Sequence, residues 1–102
     1  MRRYVALIAL IAATSGCVQS IKESKVKSAL VEGGLSDQLA GCMAHRIVER
    51  LSLLQLRRLS ALGKAEHSRS VDQFLYRVRS LNDSKIVGVT TSSAALCALG
   101  VG

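Results

Sequence analysis

The chain has 102 residues, no proline, three aromatic residues (Tyr4, Phe74, Tyr76) and a net charge of +7 with its histidines neutral. That length allows one small domain, and the Ala- and Leu-rich composition excludes a β-sandwich or barrel in favour of helices. The positive charge suits anionic headgroups or acidic polymers, but the basic residues are spread along the chain as on solvated helix faces, and no nucleic-acid motif stands among them.

The chain opens Met1-Arg2-Arg3, continues with an apolar run from Tyr4 to Ala13, and reaches Cys17 through Thr14-Ser15-Gly16. A basic start, a short apolar stretch and small residues are the three parts of a secretory signal peptide. Spanning a bilayer takes about 20 apolar residues, and this run is too short for that. Thr14-Ser15-Gly16-Cys17 resembles the lipobox of bacterial lipoproteins, with Thr14 where that family usually carries an aliphatic residue. The resemblance implies cleavage before Cys17 and a diacylglycerol on its thiol. With Val18 rather than Asp next in line, it also implies an anchor in the outer membrane, facing the periplasm. An ordinary signal peptide cut after Ser15, giving a soluble periplasmic or secreted protein, is the competing reading. Removing residues 1–16, and Arg2 and Arg3 with them, leaves 86 residues and a side-chain charge of +5.

Residues 17–24 read as a polar tether, and residues 25–102 as a single small helical domain. A first helix runs from Ile21 or Lys25 to Glu32 and ends at Gly33-Gly34. Ser36 caps a second helix with Asp37 in its first turn, and Leu39, Cys42, Met43, Ile47 and Leu51 form its apolar stripe. Arg46, Glu49 and Arg50 lie off that stripe. Ser52 to Gln55 is a capping box, which places a break near Leu51-Ser52 and a third helix ending at Gly63; one continuous helix through Ser52 is the alternative. Residues 63–69 read as a polar loop. Ser70 to Gln73 is a second capping box, opening a helix with Val71, Phe74, Leu75, Val78 and Leu81 on one face and Arg77 and Arg79 pointing away. Asn82-Asp83-Ser84 is a turn or cap. Ile86 to Thr91 has strand propensity, yet Ile86, Val89, Ser93, Leu96 and Cys97 share a helical face, so we read residues 85–99 as a last helix capped by Gly100. The fold class is all-α, a small bundle of four or five short helices stapled by one disulfide.

The staple follows from the compartment. In an oxidising environment Cys42 and Cys97, left after Cys17 is set aside, read as a disulfide worth on the order of 4 kcal/mol through loop closure. Two buried thiols are the alternative. A third option is metal: Cys42 and His45 form a C-x-x-H step, and Cys97 and His67 complete four zinc ligands. The spacing between the pairs matches no common zinc module, and a surface pairing with Glu49 suits His45 better. The carboxylates show no acid–base spacing, the serines no nucleophile elbow, and Gly33-Gly34 lacks the rest of a phosphate loop. The reading therefore assigns no enzymatic activity, no metal, no cofactor and no small-molecule substrate.

Gly34-Leu35-Ser36, Cys42-Met43-Ala44, Arg46, Val48, Arg50-Leu51-Ser52 and Gln55-Leu56-Arg57-Arg58-Leu59 also resemble small uncharacterised exported proteins of alphaproteobacteria, which close with an Ala-rich segment carrying a cysteine, as Ala94-Ala95-Leu96-Cys97 does. The resemblance implies the pairing of Cys42 with Cys97 and brings no activity. The expectation is a membrane-anchored lipoprotein with a structural or interaction role. Arg46, Arg50, Arg57 and Arg58 are its candidate contact face for an envelope protein or an anionic surface.

Overall fold

The computed structural model describes residues 20–100. The expected signal peptide, the lipobox-like segment ending in Cys17 and residues 17–19 of the expected tether lie outside the described residues. Five helices follow one another: α1 over residues 20–32, α2 Asp37–Arg50, α3 Leu53–Ala65, α4 Val71–Arg79 and α5 Ser84–Ala98. The described residues hold no strand, and none of their helices is long and apolar enough to cross a membrane.

Local chemistry fixes most boundaries. α1 ends in a Schellman turn: Gly34 takes φ +111°, its N–H donates to Val31 O at 3.0 Å, and Leu35 N–H reaches back to Leu30 O at 3.1 Å. Buried Leu30 and Leu35 supply the apolar contact that accompanies this motif. Ser36 Oγ accepts from Leu39 N to open α2. Ser52 and Gln55 form the reciprocal capping box, so the chain does break at Leu51-Ser52. Asp83 caps α5 by accepting from the N–H groups of Lys85 and Ile86. Asn82 takes φ +53°, a conformation its short polar side chain tolerates, and turns the chain from α4 into α5.

The core gathers residues from every element, among them Val26 and Leu30 of α1, Met43 and Ile47 of α2, Leu56 and Leu59 of α3, Phe74 and Val78 of α4, and Ile86 and Ala94 of α5. α2 packs on α5, α5 on α4, and α4 on α3. Cys42 and Cys97 are joined with Cα atoms 5.8 Å apart, fastening the first half of α2 to the end of α5. The potential strand Ile86–Thr91 is helical because its apolar and small residues fall at helical spacing: Ile86, Thr90, Ser93 and Ala94 are all buried on one face.

Several expectations need correction. Residues 20–24 belong to α1 rather than to a tether, and Glu23 there sits 3.4 Å from His45 on α2. Gly63 does not end α3; it is buried inside that helix, which continues to Ala65. A Cβ at this position would stand 2.3 Å from the carbonyl oxygen of Ala29. The glycine serves the close crossing of α1 and α3 rather than a turn. Arg77 does not point away from the domain. Its side chain is only 14% exposed, and its guanidinium donates to Leu62 O at 2.7 Å, to Ser68 Oγ at 2.8 Å and to Glu66 O. These acceptors lie at and just beyond the C-terminus of α3, so Arg77 caps the helix that lacks a terminal glycine. The second capping box forms by half: Ser70 Oγ accepts from Gln73 N, but the Gln73 side chain accepts from Arg69 N at 2.6 Å.

Candidate interaction groove between α1 and α3

α1 and α3 touch closely at Ala29 and Gly63, and between their earlier turns lies an open groove of about 580 Å³. α1 lines it with Ile21, Lys22, Lys25 and Val26. From α3 come Leu53, Leu56, Arg57, Ser60, Ala61 and Lys64. Both sets recur at three- and four-residue steps, so each helix presents one continuous stripe. Val26 and Leu56 are buried and form the floor. Ile21 is 55% exposed and Leu53 49%, leaving apolar surface open on the two walls.

The charge pattern is one-sided. Among the described residues four cations, Lys22, Lys25, Arg57 and Lys64, line the groove, and no carboxylate does. The acid nearest in sequence on α1, Glu23, is engaged with His45.

Neighbouring contacts set the position of α3. Gln55 Nε2 donates to the Asp83 carboxylate at 3.3 Å, and Arg58 pairs with the same group at 3.4 Å while also donating to Leu81 O. The Ile86 backbone N–H, followed by the Gln55 amide, the Lys85 N–H and the Arg58 guanidinium, outweighs partial desolvation and lowers the Asp83 pKa below the ordinary carboxylate value.

Of the expected contact face, only Arg57 lines this groove. Arg58 is tied to Asp83 and Leu81. Arg46 is half-buried, with its Nε lacking a hydrogen-bond partner, and Arg50 donates to the Arg46 carbonyl at 3.1 Å and lies 3.7 Å from Glu49. In the sequence Lys22, Lys25 and Lys64 look like ordinary solvated-face residues, and Ile21 and Leu53 stand only at the starts of their helices, so none of them alone marks the groove. The usable signal was Leu53-Leu54, two consecutive leucines at the start of a helix with room to bury neither.

A larger and more open depression of about 720 Å³ lies over the disulfide, bordered by Ser36, Gln38, Cys42, His45 and Cys97. His45 pairs with Glu49 at 3.5 Å as expected, and with Glu23. His67 lies elsewhere: its Nδ1 donates to Glu32 O at 3.0 Å. The sulfurs of Cys42 and Cys97 are bonded to each other. No group of three or more His, Cys, Asp or Glu side chains among the described residues is placed to hold a metal.

Compared with family models, curated proteins and solved structures, the chain matches none.

Proposed function

We propose that this chain is a lipoprotein held in the outer membrane through Cys17 and facing the periplasm, with a folded part that acts by interaction rather than by catalysis. The observation that carries the reading is the partition of its three cysteines. Cys42 and Cys97 are bonded to each other inside the fold, as suits an oxidising compartment, and the third closes a signal-like segment on Ser15-Gly16-Cys17. The groove between α1 and α3 supports an interaction role, because exposed apolar walls bordered by charges of one sign are what a binding surface carries.

The test is an intact mass of the protein from the membrane fraction, with and without reduction and thiol alkylation. The expected result is residues 17–102 carrying a lipid adduct, with two alkylatable thiols appearing only after reduction. Cys17→Ser should then abolish the adduct and shift the protein out of the outer membrane. An unlipidated product cut after Ser15 would overturn the anchor and make the chain a soluble exported effector or inhibitor.

A further inference from the structure

The groove has the chemistry of an amphiphile site. Ile21, Val26, Leu53 and Leu56 supply apolar wall and floor, while Lys22, Lys25, Arg57 and Lys64 place four positive charges along the same channel without one carboxylate. A neutral hydrocarbon would leave those charges with no counterpart, and a purely ionic ligand would leave Ile21 and Leu53 in water. The volume of about 580 Å³ falls inside the range of about 300–1,000 Å³ typical of small-molecule sites, and the open side leaves room for a longer chain to emerge.

The covalent chain adds the source. Cys17 is four residues from Ile21, and four residues fully extended reach about 14 Å at most. A lipid on Cys17 therefore holds the Ile21 end of the groove within the reach of a headgroup layer. We infer that the α1–α3 groove binds an anionic phospholipid of the membrane that anchors the chain, its phosphate set among Lys22, Lys25 and Arg57, with Lys64 two turns farther along the channel, and the first part of an acyl chain laid against Ile21 and Leu53. This deepens the anchored reading and depends on it only for where the lipid comes from.

The experiment uses the full chain purified from membranes in non-ionic detergent and reconstituted in phosphatidylcholine vesicles. Phosphatidylglycerol with a photoreactive diazirine on its acyl chain is added, and the labelled peptides are mapped. Phosphatidylcholine bearing the same diazirine is the matched neutral probe. The anionic probe should label residues 21–26 and 53–61 at least fivefold more than the neutral one. Removing one cation from such a contact lowers affinity about fivefold, so Lys25→Glu with Arg57→Glu should reduce labelling at those peptides by tenfold or more. Arg69→Glu with Arg79→Glu, an equal charge change at exposed positions outside the groove, should not. Equal labelling by both probes, labels concentrated on α4 or α5, or undiminished labelling of the groove in the first variant would each overturn the inference. The intact mass of the same sample reports the Cys17 adduct separately. A lipidated protein without selective labelling defeats the groove alone, and selective labelling of an unlipidated protein defeats the anchor alone.

Discussion

Gly63 lies against Ala29 so closely that a Cβ on the glycine would sit 2.3 Å from the alanine's carbonyl oxygen and 2.9 Å from its carbonyl carbon. Both atoms are backbone and cannot swing aside. The cost of a glycine in a helix interior, about 1 kcal/mol against alanine, is accepted here because it lets α1 and α3 meet. Gly63→Ala must push the two helices apart or bend α1, and should destabilise the protein by about 1–3 kcal/mol. Urea unfolding followed by circular dichroism measures this. Since the same crossing closes one end of the groove, the variant should also disturb the lining of α1 and α3, visible as faster amide exchange there.

Gly88 carries the opposite prediction. It is exposed within α5, and an added Cβ meets nothing within 4 Å. Gly88→Ala should therefore stabilise the protein by about 0.5–1 kcal/mol through helix propensity and a less flexible unfolded chain. A decrease in the urea midpoint would overturn the premise that a methyl group at this position enters open space.

Gly63 marks the limit of what is legible in the sequence. Ser36, Ser52 and Asp83 were readable as helix starts because each cap bonds within two or three residues of itself. The apolar stripe of α4 and the helical period hidden in Ile86–Cys97 were readable for the same local reason. Gly63 was not, since a glycine that ends a helix and one that admits a neighbouring backbone look alike until the neighbour is known. Arg77 was misread because a helical period tells only which side a residue occupies, while its acceptors at Leu62, Glu66 and Ser68 belong to another part of the chain. The groove was invisible because its walls, Ile21 and Leu53, become neighbours only when α1 crosses α3.

Arg77 joins the end of α3, the following loop and α4 through one planar group. Its removal leaves the Leu62 carbonyl and the buried Ser68 hydroxyl without their donor. Arg77→Ala should cost about 2–3 kcal/mol, the scale of hydrogen bonds to a charged group whose partners stay buried. Arg77→Lys should recover only a part, because one ammonium cannot address three acceptors with the fixed fork of a guanidinium. Thermal unfolding of the three proteins side by side distinguishes this from a simple charge effect, under which lysine would restore the full stability.

Cutting the Cys42–Cys97 bond enlarges the unfolded ensemble by a loop of 55 residues. In the chain-entropy model the oxidised protein is then more stable than the reduced one by about 4 kcal/mol, a large share of what a domain of this size has. Reduction should lower the melting temperature sharply while the helices still form at low temperature in the presence of a stabilising osmolyte. Cys42→Ala with Cys97→Ala should reproduce the reduced protein. Unchanged melting on reduction would show that the packing of α2 on α5 suffices without the bond.

Asp83 is ionised more readily in the folded chain than in the unfolded one. Its carboxylate accepts from Ile86 N–H and Lys85 N–H, meets Gln55 and pairs with Arg58, so folding favours the ionised form and lowers its pKa. A carboxylate with a lower pKa folded than unfolded binds fewer protons in the native state. Stability then rises with pH across the interval between the two values, and Asp83's contribution is full above its unfolded pKa of about 3.9. It fades as the pH falls from there through the folded value. Asp83→Asn retains a side chain able to cap α5 but removes the charge. The stability gap between wild type and variant should be constant from pH 8 to pH 5 and shrink below about pH 4, as denaturant midpoints measured over that range would show. A gap that stays constant down to pH 2.5 would mean that the amide's shape rather than the lost charge sets the difference, and that the ion pair with Arg58 adds nothing to stability.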